Sequence, residues 1–137
     1  MYSYFISATE IEISQMKGLN DVAHHIELTE PMVGGKISSQ AIASLSKLLG
    51  TNSLESVGHR IKEESTFFLF DTKLKEKLAE AKNEELLNLS VLWDEDFWTE
   101  TEINRMDLAG FLLELSLLCR QAVKSKKNLY LLESNED

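Results

Sequence analysis

The stretch that most constrains this chain runs from about Thr101 to Lys124. Leu108, Phe111, Leu112, Leu115, Cys119 and Ala122 recur there every three or four residues, the period of one helical face. Leu113, Leu117 and Leu118 widen that face beyond a single stripe, which predicts a central helix well covered by other elements. Arg120, Lys124, Lys126 and Lys127 crowd its last turn and exit, where cations suit the negative end of the helix dipole. Residues 128–132 then read as a closing strand, and 133–137 as a polar tail. A long buried helix running straight into a strand needs a sheet beneath it and further helices around it.

The rest of the chain supplies both. Residues 2–6 are aromatic and β-branched and suit a strand. Ser7 or Thr9 then stands as a helix N-cap, Glu12 lying at capping-box distance from Thr9, with the helix ending near Gly18. Glu10 to Ile13 also alternate as a longer strand would. Residues 19–37, holding the single proline Pro31 and the pair Gly34 and Gly35, are assigned no regular element. From Ser38 or Ser39, Ile42, Leu45, Leu48 and Leu49 share a helical face that Gly50 terminates. Residues 53–61 carry no clear pattern, whereas 66–70 read as a buried strand. Asp71 caps a helix bearing Leu74, Leu78 and Ala81, and Asn83 caps another bearing Leu86, Leu87, Leu89, Val91 and Trp93. The expectation is a helix-rich α+β domain over residues 1–137, with a small sheet of about three strands and a long C-terminal helix leading into the last.

Composition narrows the functional classes. A chain of 137 residues, 43% hydrophobic and 27% charged, has enough apolar surface for one core without staples. Its single cysteine, Cys119, excludes an internal disulfide framework or a thiolate metal cluster and fits a reducing compartment. The first residues lack the basic start and apolar core of a secretory signal, and no apolar run approaches the roughly 20 residues of a membrane span. A cytoplasmic protein away from membranes is expected. The net charge of −9 argues against nonspecific nucleic-acid binding, which relies on cations at phosphates, and favours a basic protein partner. Composition leaves the oligomeric state open.

Catalytic constellations are sparse. His24, His25 and Glu27, with Asp21 nearby, come closest to a metal group, but adjacent histidines on a regular element point apart. His59 is isolated in sequence. Gly34, Gly35, Lys36, Ile37 and Ser38 evoke a phosphate loop, yet no glycine precedes at the required interval and Ile37 stands where a hydroxyl should bind magnesium. Cys119 lies on the apolar stripe, as a small core hydrophobe does. No catalytic residue, cofactor or metal is predicted from these groups.

The most informative segment is Trp93, Asp94, Glu95, Asp96, Phe97, Trp98, followed by Glu100 and Glu102. Between 94 and 107 six acids face one base, Arg105, which is more than half of the net charge of −9. Both tryptophans flank the acidic run, and such aromatics and acids make a docking loop in which Trp93, Asp94, Asp96, Trp98 and Glu100 meet a partner. The alternative is structural: the tryptophans anchor the core, and Glu100 and Glu102 favour the start of the last helix.

The order of elements resembles the YfbM-like family of bacterial proteins. The similar pieces are the aromatic residues 2–6, the leucine-rich helix ending at Gly50, the stretch 67–78 and the helix-to-strand exit 120–132. The chain departs from that family's pattern in having Ala43 and Ser44 where the leucine-rich helix usually carries a tryptophan. This resemblance implies a fold rather than an activity. The last helix, basic turn and terminal strand are also similar to barstar-type immunity proteins. That similarity implies a class, small acidic cytoplasmic proteins that block a basic toxin enzyme, and carries over no inhibitory residue.

Three functions follow as expectations. The first is a non-enzymatic interaction protein, of immunity or antitoxin type, that occludes a basic partner. The second is a small hydrolase or metal-dependent enzyme built on His24, His25, Glu27 and His59, which requires those side chains to converge. The third is a regulatory ligand-binding domain, which requires a sizeable apolar cavity.

Overall fold

A computed structural model describes residues 2–28, 37–57, 65–98 and 103–134. In chain order these form β1 (Tyr2–Ala8), α1 (Glu10–Gln15), α2 (Leu19–Ala23), β2 (Ile26–Leu28), α3 (Ser39–Leu49), β3 (Leu54–Ser56), β4 (Ser65–Phe70), α4 (Thr72–Glu80), α5 (Asn83–Phe97), α6 (Arg105–Lys124) and β5 (Asn128–Ser134). The α+β class holds, with five strands among the described residues in the order β2-β1-β5-β4-β3. Every neighbouring pair is antiparallel. The two strands beyond the expected three, β2 and β3, are the edges and only three residues long. A run that short shows barely one period of alternation.

The last strand in sequence is the middle strand in space. Leu129 and Leu131 of β5 join Phe5 and Phe70 in the larger core, which α3, α4, α5 and α6 close. Tyr130 and Leu132 face the other way, with Ile6 and Phe67, against Ile13 and Met16 below α1 and Val22 of α2. Both faces of the sheet are therefore covered, which is why β5 reads as a continuous apolar run. β5 also extends to Ser134, so Glu133 and Ser134 belong to the sheet rather than to a polar tail. The Glu133 carboxylate accepts the Ser39 N–H at 2.7 Å.

Local signals set most of the helix ends. Thr9 caps α1 with its hydroxyl at the Glu12 N–H, and the Glu12 carboxylate accepts the Thr9 N–H at 2.9 Å. Ser38 and Asp71 cap α3 and α4, and Gly50 leaves α3 at φ 71°, a conformation cheap only for residues without Cβ. Two helix starts differ from expectation. Lys82 rather than Asn83 precedes α5 as its cap, its N–H held by Glu85 Oε1 at 3.0 Å. Helix α6 begins at Arg105, capped by Asn104, rather than near Thr101. The helix ends at Lys124 as expected, and Lys126 just beyond it takes a left-handed conformation at φ 58°.

Among the described residues, α6 is covered on one side only. Leu108, Phe111, Leu112, Leu115, Leu118, Cys119 and Ala122 are buried, but Leu113 is half-buried and Leu117 is exposed. The widened apolar face is thus a buried stripe plus a second stripe in solvent, where the sequence pattern predicted complete cover.

Candidate functional site

The acidic, aromatic segment is the last turn of α5, not a loop. Its helical spacing was present in the sequence: Leu86, Leu89, Trp93 and Phe97 step by three or four straight through the acids. Trp93 is 0% exposed and Trp98 3%. The Trp93 indole N–H donates to the Ala41 carbonyl at 3.0 Å, fixing α5 against α3. The two indoles meet edge to face at 5.6 Å, Phe97 packs on Trp98 at 4.7 Å, and Phe111 lies 6.1 Å from Trp93. Each of these pairs is in the range where rings attract beyond their area burial. Neither tryptophan is presented to a partner, which corrects the aromatic half of the expected docking surface.

The acids between them are tied to neighbouring helices. Asp94 Oδ2 receives Nε and Nη2 of Arg105 at 3.2 and 3.0 Å, joining the end of α5 to the start of α6. Asp96 receives the Ser44 hydroxyl at 2.5 Å and the Lys47 ammonium at 3.0 Å, both from α3. The Ser44 hydrogen bond, followed by Lys47, holds the Asp96 carboxyl below its ordinary pKa. Three consecutive acids at a helix C-terminus oppose the dipole, and the cations facing two of them answer that. Glu95 is exposed. Glu100 lies outside the described residues, as does Glu102.

Two residues that the sequence reading passed over complete the charge of this helix. Glu84 and Glu85 sit in the first turn of α5 and are exposed. With Asp94, Glu95 and Asp96 they make five carboxylates on a helix with no Lys or Arg. A hollow of about 560 Å³ beside α5 is lined by Leu49, Lys77, Glu80, Glu85, Leu89 and Leu92, among others. It is an open, mixed-polarity surface and does not match the enclosed apolar cavity expected of a ligand-binding domain.

The histidines come together only in part. His24 and His25 line a shallow hollow with Glu12, Gln15, Met16 and Asp21. His25 Nδ1 lies 3.4 Å from Glu12 Oε2, and Lys127 Nζ lies 3.5 Å from Glu12 Oε1. The Thr9 N–H first, then Lys127, the Thr9 hydroxyl and His25, keep the Glu12 carboxyl below its ordinary pKa. Asp21 is engaged with the N–H groups of Lys17 and Gly18. Among the described residues no three His, Cys, Asp or Glu side chains are placed to hold a metal ion. Glu27 lies on β2, and His59 and the Gly34–Lys36 stretch lie outside the described residues. Ile37 is buried and Ser38 caps α3, a structural use of the segment that resembled a phosphate loop. Cys119 is buried and its thiol is pushed up to about 12 by that burial, which makes it a poor nucleophile.

Among the described residues, no helix is long and apolar enough to cross a membrane. Comparison with known proteins finds no matching family model, no matching curated protein and no matching solved structure.

Proposed function

We propose that the protein is a non-enzymatic, cytoplasmic interaction protein that uses the acidic outer face of α5 to capture and occlude a basic protein partner. The observation that carries this reading is the charge of α5: five carboxylates, no cation, and Glu84, Glu85, Glu95 and Asp96 exposed. A surface of one sign steers an oppositely charged protein and raises its association rate. Nucleic acid, itself a polyanion, is disfavoured by the same face. The similarity to barstar-type proteins agrees with such a small acidic binder, and an immunity or antitoxin role is the specific form proposed.

In this reading the roles within the expected site separate. Trp93 and Trp98 hold the helix in place, Asp94 and Asp96 fix its end, and Glu84, Glu85 and Glu95 meet the partner. The test is affinity capture of the tagged chain from its native lysate at low salt, with stepwise salt elution. A basic protein at one-to-one stoichiometry, released as salt rises, is the expected result. Retention of partners with no basic bias, unmoved by salt, would contradict the reading.

The small-enzyme reading rests on His24 and His25 sharing a hollow with Glu12 and Asp21. It predicts stoichiometric metal in the purified protein, and metal analysis separates it from the binding reading.

A further inference from the structure

Helices α3 to α6 close one face of the sheet, and among the described residues the cover of the other face thins toward its β3 edge. There Ile13 and Met16 pack on β1 and β5, whereas Leu69 of β4 is only half-buried and Val57, just past β3, is 38% exposed. A cleft of about 270 Å³ opens at this point, lined by Ile13 and Ser14 of α1, Val57 of the sheet edge, and Leu69, Asn128 and Tyr130 of β4 and β5. Its volume is just below the range of sites that take drug-sized molecules, so it suits a smaller one.

Two polar groups in this cleft are not used up by the fold. Tyr130 is 2% exposed, and its hydroxyl accepts the Asn128 side-chain N–H at 3.3 Å. A phenol also has a proton to donate, and among the described residues no acceptor receives it. The side-chain carbonyl of the half-buried Asn128 likewise accepts no hydrogen bond from the described residues. A buried donor without an acceptor is costly and rare in a folded chain. The cleft thus presents an unmet donor and an unmet acceptor side by side, above an apolar floor.

We propose that this cleft binds a small neutral molecule with an amide-type edge, a C=O beside an N–H, carried on an apolar ring or short chain. The Tyr130 hydroxyl donates to the ligand carbonyl, and the Asn128 carbonyl accepts the ligand N–H, so both unmet groups are satisfied at once. Ile13, Val57 and Leu69 take up the apolar body, whose burial supplies affinity while the polar pair sets orientation. Charge narrows the class further. Glu10, exposed in the first turn of α1, is the charged residue of the lining. Its carboxylate and the Asn128 oxygen both disfavour an anion, so the corresponding acid is discriminated against. The site lies on the opposite face of the sheet from α5 and does not depend on what the acidic face captures.

Titration of the isotope-labelled full chain with benzamide, followed by its amide NMR shifts, tests the proposal, with acetophenone and benzoate as controls. Acetophenone keeps the ring and the acceptor but has no N–H, and benzoate keeps the shape and adds negative charge. The expected result is saturable shifts centred on Ser14, Leu69 and Asn128, with dissociation on the order of 1 mM for a ligand of this size. Acetophenone should bind several-fold more weakly, and benzoate more weakly still. Tyr130→Phe removes the donor and keeps the ring, and should weaken benzamide by about fivefold or more. Ser14→Phe fills the cleft from an exposed position on α1 and should abolish the shifts, and a thermal melt verifies that both variants fold. No saturable shift at about 20 mM benzamide overturns the proposal. So does acetophenone or benzoate binding as tightly as benzamide, an affinity unchanged by Tyr130→Phe, or shifts that Ser14→Phe leaves in place.

Discussion

The two ends of α5 carry nearly the same chemistry and use it in opposite ways. At the first turn, Glu84 and Glu85 sit at the positive end of the helix dipole, and Glu85 holds the Lys82 N–H. Acids there stabilise the helix without any partner. At the last turn, Asp94, Glu95 and Asp96 oppose the dipole, and the structure supplies Arg105, Lys47 and Ser44 to two of them. The lesson is that an acidic run is not one object. Position along the helix decides which carboxylates are structural and which remain for an encounter, and the buried tryptophans belong to the structural group.

The strongest way to break this comparison is Trp93→Ala. Removing a buried indole that packs on Trp98 and Phe111 should cost about 3–5 kcal/mol, read as a lower urea midpoint. A cost near that of a surface substitution would mean that the indole is not a core anchor. Next in size is Arg105→Ala, which removes a two-nitrogen contact with Asp94 on a partly exposed pair and should cost about 0.5–1 kcal/mol. The same change should leave the first turn of α5 unaffected, as hydrogen exchange of its amides would report.

Charge reversal at the two ends sharpens the comparison by sign. Glu84→Lys should destabilise by about 0.3–1 kcal/mol, whereas Glu95→Lys should stabilise by a similar amount, because each places a cation at the opposite end of the dipole. Equal shifts in the same direction would remove the dipole argument. Acid provides the smallest effect. The carboxyls of Asp96 and Glu12 are held below their ordinary values when folded. The stability they confer is complete above the unfolded carboxylate range, about pH 4, and is lost as pH falls through the folded values. Urea midpoints should therefore fall on acidification, and less so in Asp96→Asn and Glu12→Gln than in wild type.

How far this was legible in the sequence depends on the length of the local pattern. β1, β4, β5 and the helices α3, α4 and α6 each carry several periods of apolar spacing or a recognisable cap, and the sequence located them. β2 and β3 do not, and their pairing comes from neighbours distant in the chain. The burial of Trp93 and Trp98 was obscured because charges interrupt the hydropathy there, although the spacing from Leu86 to Phe97 continued beneath them. Glu84 and Glu85 were overlooked because they stand at the opposite end of the helix from the run of acids beside the tryptophans. Only the folded helix places them with Glu95. The exposure of Leu117 was hidden for the converse reason: an apolar residue on a wide helical face looks the same in sequence whether or not anything covers it.

The most direct test of the account is the association rate of the captured basic partner with two variants of α5. One carries Glu84→Lys and Glu95→Lys, the other Asp94→Asn and Asp96→Asn. The account predicts that the first loses most of its rate and its salt dependence while remaining folded, and that the second melts earlier but associates nearly as fast as wild type. The reverse result, with association lost on neutralising Asp94 and Asp96 and kept on reversing Glu84 and Glu95, would contradict it.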